Sequence, residues 1–193
     1  MIVLSPTCVQ QHSAPDCGFY ARYFSDCLID NLRKIIKSWD AHLDQIPDGL
    51  QRCNDQRQYE VAYKSFARKL GRSSEKKQTV PTNLLEHQIR QLGSNAVPVL
   101  SSIEAARSSI LSGVLQDDLL TVASNVSRNG HAVLICNTTT TQLAGEHWVG
   151  ILVRRKSNVN RYLVCDSLFR GIRSQHRNLC NRLDAVLKLY LNK

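Results

Sequence analysis

His147-Trp148-Val149-Gly150-Ile151-Leu152-Val153 and Tyr162-Leu163-Val164-Cys165-Asp166 are two short apolar runs, separated by a polar segment that contains Lys156-Ser157-Asn158-Val159-Asn160. Short runs rich in β-branched residues and bounded by turn formers read as strands. Together they predict an antiparallel hairpin. A third run, His131-Ala132-Val133-Leu134-Ile135-Cys136, follows the turn signal Asn129-Gly130 and supplies another strand of the same small sheet.

Upstream of this hairpin the pattern is helical. After Cys17, the residues Tyr20, Phe24, Leu28, Leu32, Ile35 or Ile36, Trp39 and Leu43 recur at three- and four-residue spacing, predicting one long amphipathic helix that ends before Pro47-Asp48-Gly49. A second helix is predicted over Gln56–Leu70, closed by Gly71, and the charged, serine-rich run to Gln78 reads as an exposed linker. Thr82 can cap a third helix over Asn83–Leu92, and helical spacing continues through Ile103–Leu111 and Asp117–Ser127. It returns near the end with Leu179, Leu183, Val186, Leu187 and Tyr190. The expectation is one α+β domain with a helical part over about 17–128, an antiparallel sheet over about 129–168 and a C-terminal helix over about 177–192.

Composition narrows the class. With 193 residues, 42% hydrophobic and 21% charged, the chain is long enough to bury a core and has the balance of a globular protein. The seven cysteines are odd in number, lack close pairing and in several cases sit in apolar runs, which favours free thiols and a reducing compartment, cytoplasmic or nuclear. The start, Met1 to Thr7, is too short and uncharged for a signal peptide, and no run reaches the length of a membrane span. Delivery into a host cell by a secretion system would leave no mark of this kind.

The net charge of +9 is concentrated in 51–77 and 154–193. Such faces can steer an acidic partner, but neither region interleaves aromatic residues as a base-stacking surface does, so they read as solvated helix faces and nucleic acid is disfavoured. Arg154-Arg155-Lys156, at the expected hairpin tip, is the stretch that would touch an acidic partner. A monomer is expected.

The candidate chemistry is that of a thiol nucleophile. Cys17 opens a predicted helix, where the helix N-terminus favours the thiolate, and Gly18 after it would allow close approach of a substrate backbone. Gln11, six positions upstream, carries an amide able to share an oxyanion with the Cys17 N–H. His147 starts one predicted strand and Asp166 ends the next, so hairpin formation makes them neighbours. Their midpoint falls at Lys156 and Ser157, at the edge of the expected turn, which calls for a register offset or a bulge. Asp166 would then hold one imidazole nitrogen while the other faces Cys17.

Each of these residues has a competitor. Cys17 alone would read as a buried structural thiol. His131 also heads a strand, Gln10 adjoins Gln11, and Asp16 is an adjacent carboxylate whose charge would oppose a thiolate. The hairpin to Asp166 favours His147, and spacing favours Gln11. The remaining histidines and cysteines lack ligand spacing, so neither a metal nor a cofactor is expected.

Gln11 with Asp16-Cys17-Gly18, His147-Trp148 and Asp166-Ser167-Leu168 resemble the papain-like cysteine peptidases that cleave ubiquitin and ubiquitin-like modifiers. The individual words are similar to those of the SUMO-specific proteases. The order Gln, Cys, His, Asp is similar instead to Josephin-domain deubiquitinases and, more loosely, to bacteriocin-processing peptidases. The resemblance covers about 20 residues at each end of the catalytic region and none of residues 45–128. It implies a papain-like fold, a Cys17–His147–Asp166 triad with Gln11 at the oxyanion, and hydrolysis after the C-terminal glycine of ubiquitin or a relative. It also implies Trp148 as a wall of the channel for a Gly-Gly tail. Two alternatives remain at this point: an acyltransferase or deamidase using the same triad, and a non-catalytic binding module with basic faces.

Overall fold

The computed structural model describes residues 1–11, 17–71, 97–99, 117–137 and 147–191. Its elements are β1 (Ile2–Leu4), α1 (Cys17–Asp30), α2 (Leu32–Ala41), a 3-10 turn (Gln51–Asn54), α3 (Gln56–Lys69), β2 (Val97–Val99), α4 (Asp117–Asn129), β3 (His131–Asn137), β4 (Trp148–Lys156), β5 (Val159–Cys165) and α5 (Ser174–Leu191). The class is α+β. Among these residues no helix is long and apolar enough to cross a membrane.

The sheet departs from the expected antiparallel one. Its order is β1-β5-β4-β3-β2; the three central strands run antiparallel, and each edge strand pairs parallel with its neighbour. Both edge strands are three residues long, too short to leave a periodic signal in the sequence.

The central strands read as continuous apolar runs because both of their faces are covered. Val133, Ile135, Trp148, Leu152, Leu163 and Cys165 pack with α1, α2 and α3 in one core. The alternate residues Leu134, Cys136, Val149, Ile151, Val153, Tyr162 and Val164 pack with α4 and α5 in a second. The period of two thus sorts each strand between two helical layers. On the second face Asp184 accepts hydrogen bonds from Asn160 Nδ2 (2.8 Å) and Tyr162 Oη (2.9 Å), tying α5 to β5.

The long first helix is in fact two. Asn31 interrupts it, with backbone angles of φ −109° and ψ 11°, and its Nδ2 donates to the Cys27 carbonyl at 3.1 Å. An asparagine amide competing for helix carbonyls is a known local breaker. Ile35 and Trp39 continue the apolar stripe into the core, whereas Leu43 lies beyond α2 and is exposed. α3 closes at Gly71, whose φ of +65° suits glycine. The helices expected over 83–92 and 103–111, and the linker beyond Gly71, lie outside the described residues.

α1 crosses β4 where β4 has no side chain. A Cβ on Gly150 would stand 3.2 Å from Phe24 Cβ, 3.2 Å from Ser25 Oγ and 3.3 Å from the Ala21 carbonyl oxygen. Gly150 therefore sets how closely the helix that begins with Cys17 approaches the strand that follows His147.

Candidate functional site

The hairpin holds its two ends together without a bulge. Lys156 pairs with Val159 across a two-residue turn in which Ser157 and Asn158 both have positive φ (51° and 60°), the geometry suited to the right-handed twist of the flanking strands. The ladder runs in unbroken register to Gly150 opposite Cys165. Continued outward, that register places His147 opposite Leu168, so Asp166 is its diagonal neighbour on the same face, within side-chain reach. Of the two expected devices, a register offset or a bulge, the ladder uses the offset, which this diagonal absorbs.

His147 Nε2 lies 2.7 Å from Asp166 Oδ1. The Cys17 thiol is hydrogen-bonded to the same ring. With Nε2 committed to the carboxylate, Nδ1 is the nitrogen left for sulfur. Residues from the front and the rear of the chain are thus joined in one relay. Burial opposes a charge on His147, but hydrogen bonds to Asp166 and Cys17 and their charges outweigh it, and the imidazole pKa is pushed up to about 9.

Asp166, 1% exposed, is held by more than one partner. Its Oδ1 also accepts from the Leu168 N–H (2.6 Å) and the Phe169 N–H (3.3 Å), and its Oδ2 faces His176 Nε2 at 2.8 Å. Burial pushes its pKa up, yet the bonds from His147, His176 and the Leu168 amide prevail and hold the carboxyl well below the usual carboxylate range. A charged carboxylate with no exposure is tolerable only when paired and hydrogen-bonded in this way.

Gln11 reaches the same corner by a different route. Its backbone N–H donates to the Ser167 carbonyl (2.8 Å), and its side-chain Oε1 accepts from Ser167 Oγ (2.8 Å). Gln10, its sequence rival, spends its amide on the carbonyls of Cys8 (3.0 Å) and Asp166 (3.5 Å). His131 bonds the Asn129 carbonyl at 2.9 Å and sits opposite Arg154, whereas Asn137 at the other end of β3 sits opposite Trp148. Those ends are six residue steps apart, roughly 20 Å at strand rise, so His131 is remote from the thiol. Asp16 lies outside the described residues.

Both expected substrate contacts are buried. Trp148 is 1% exposed within the core that also holds Cys17, so its indole backs the site from inside. Gly18 is likewise buried, in the first turn of α1. The basic hairpin stretch is partly neutralised: Arg154 makes two bonds to Asp40 on α2 (2.7 and 3.2 Å), and Lys156 lies 3.6 Å from the same carboxylate.

Sequence reading passed over three residues that the structure brings to the site. His176 falls in a stretch with no periodicity, because α5 begins at Ser174, before the first periodic apolar residue, Leu179. Phe169 packs edge-on against both His147 and His176, at ring-centroid distances of 6.5 and 6.3 Å. Ser167 was visible in the word Asp-Ser-Leu, but only the aspartate carried a role. Among the described residues no cluster of histidine, cysteine or carboxylate side chains is arranged to hold a metal ion, and all seven cysteines are buried free thiols.

No family model, curated protein or solved structure matches this chain.

Proposed function

We propose that the chain is a cysteine hydrolase of papain-like type that cleaves a peptide or isopeptide bond, with Cys17 as nucleophile, His147 as acid and base, and Asp166 as the carboxylate that orients the imidazole. The observation that carries this reading is the continuous contact from Asp166 through His147 to Cys17 at the first residue of a helix. A thiol placed there benefits from the helix N-terminus and from an imidazole kept protonated by its carboxylate.

His147 holds the proton that Cys17 gives up, and the thiolate attacks the scissile carbonyl carbon. The resulting oxyanion is met by the Cys17 N–H, at the start of α1, and by Gln11 Nε2. Ser167 supports the second role, because its hydroxyl engages Oε1 and leaves the NH2 end of the amide as the donor. When the intermediate collapses, His147 gives its proton to the leaving amine and a thioester remains on Cys17. Water, deprotonated by His147, then attacks the thioester, releasing the acid and restoring the thiol.

The substrate class rests on the motifs alone: Gln11 with Cys17-Gly18, His147-Trp148 and Asp166-Ser167-Leu168 favour the C-terminal glycine of ubiquitin or a ubiquitin-like protein. The test is incubation with a panel of such modifiers carrying C-terminal electrophiles. An adduct formed by wild type and lost in Cys17→Ala supports both nucleophile and substrate. No adduct with any member overturns the substrate assignment.

A further inference from the structure

Asp166 stands between two imidazoles. His147 takes Oδ1, and His176, 1% exposed on the first turn of α5, takes Oδ2. The second ring's protonation can be read from its other side. The Arg173 backbone N–H points at His176 Nδ1 at 3.1 Å. An amide can only donate, so Nδ1 is the acceptor and the ring proton resides on Nε2, directed at Asp166. His176 is therefore a neutral imidazole of fixed tautomer.

We infer that His176 is a positioning residue that acts through Asp166, locking the carboxylate in the rotation that presents Oδ1 to His147. This rests on the proposed role of the Cys17–His147–Asp166 relay. A carboxylate can turn about its Cβ–Cγ bond, and in a buried site each oxygen must find donors wherever it stops. Oδ1 has two backbone amides and His147, while His176 supplies the bond to Oδ2; since the two oxygens are equivalent, the four donors together fix the plane of the carboxylate. Phe169, stacked edge-on to both rings under the Arg173 guanidinium (5.9 Å), fills the space on one side of the pair. The groups facing the relay come from four elements: His147 before β4, His176 on α5, Cys17 on α1, and the turn after β5 with the Leu168 and Phe169 amides. Among the described residues these are the ionisable side chains bonded to one another there.

A merely structural histidine would pin α5 to the end of β5 and affect folding alone. A positioning histidine also changes the state of His147. The discriminating pair is His176→Leu, which removes the donor, and His176→Gln, whose amide can place an N–H at nearly the same point. The readout is the rate of Cys17 alkylation by iodoacetamide against pH, located by peptide mass spectrometry, which requires no substrate.

The Leu variant is expected to lose about 10- to 100-fold in rate at neutral pH, the usual scale for removing a residue that orients a functional ligand. Its alkaline limb should move to lower pH, because His147 loses part of the Asp166 bond that raises it. The Gln variant should recover most of both. A Leu variant with wild-type rate and pH profile overturns the inference, even if modifier cleavage is observed. Conversely, absence of cleavage by wild type defeats the proposed reaction and leaves this alkylation test intact. Should the Leu variant not fold, long-range ¹⁵N–¹H spectra of wild type decide: a neutral Nε2–H ring at residue 176 at pH 7 supports the inference, and a doubly protonated or Nδ1–H ring overturns it.

Discussion

Replacing Asp166 by Asn should weaken the fold in a manner that depends on pH, and the structure sets the window. His147 is raised from an ordinary value of 6.5 to about 9, against the opposing effect of burial, by Asp166 and by Cys17. A histidine raised on folding contributes stability that is fully present below its unfolded pKa and is lost as pH rises through the folded one. At 1.36 kcal/mol per unit, a rise of roughly 2.5 units corresponds to about 3 kcal/mol as an upper bound, shared between the two partners. The side chain is only 12% exposed, so solvent screening is small. Urea unfolding of wild type and Asp166→Asn at pH 6 and pH 10 should give a destabilisation that is larger at pH 6, by about 1–3 kcal/mol. Titrating groups outside the set bonded to Asp166, namely His147, His176 and, through His147, Cys17, cancel in the difference between the two proteins. Equal destabilisation at both pH values would refute the charge assignment, since a neutral hydrogen bond would be lost equally at either.

Gly150→Ala places a methyl group 3.2–3.3 Å from the Phe24 Cβ, Ser25 Oγ and Ala21 carbonyl of α1, so the helix must yield. Overpacking of this kind costs about 1–3 kcal/mol, visible as a fall in Tm, and Cys17 alkylation should slow by more than the stability loss explains, because α1 carries the thiol. Ser167→Ala frees the Gln11 amide to rotate, and kcat on a cleaved modifier should fall about 10-fold with little change in KM, as for a transition-state interaction. His131→Ala, at the far end of β3, should leave cleavage within about twofold of wild type, since its bond is to the Asn129 carbonyl.

Much of this architecture is legible in the chain because burial on both faces writes plain apolar runs. The strands at 131–137, 148–156 and 159–165 announce themselves in that way, and the hairpin then makes neighbours of His147 and Asp166. Edge strands of three residues carry no period, so the parallel pairing of β1 and β2 could not be read. Asn31 kept the apolar spacing of one helix while breaking it in two, because its amide bonds a carbonyl without disturbing the stripe. The burial of Trp148 is not legible for a related reason: proximity to His147 in sequence says nothing of which face a strand residue takes, and the odd step along β4 sets the indole in the core. His176 was silent because its role depends on a turn between β5 and α5 that has no pattern of its own.

The central claim is that Cys17 differs from the other six cysteines through His147. The direct measurement is iodoacetamide labelling of the native protein at pH 7, mapped by mass spectrometry, in wild type and His147→Ala. Rapid labelling at Cys17 that is lost in the variant, with the other buried thiols protected in both, is the predicted result. Labelling of Cys17 at the same rate in both proteins, or only together with the other thiols on unfolding, would contradict the account.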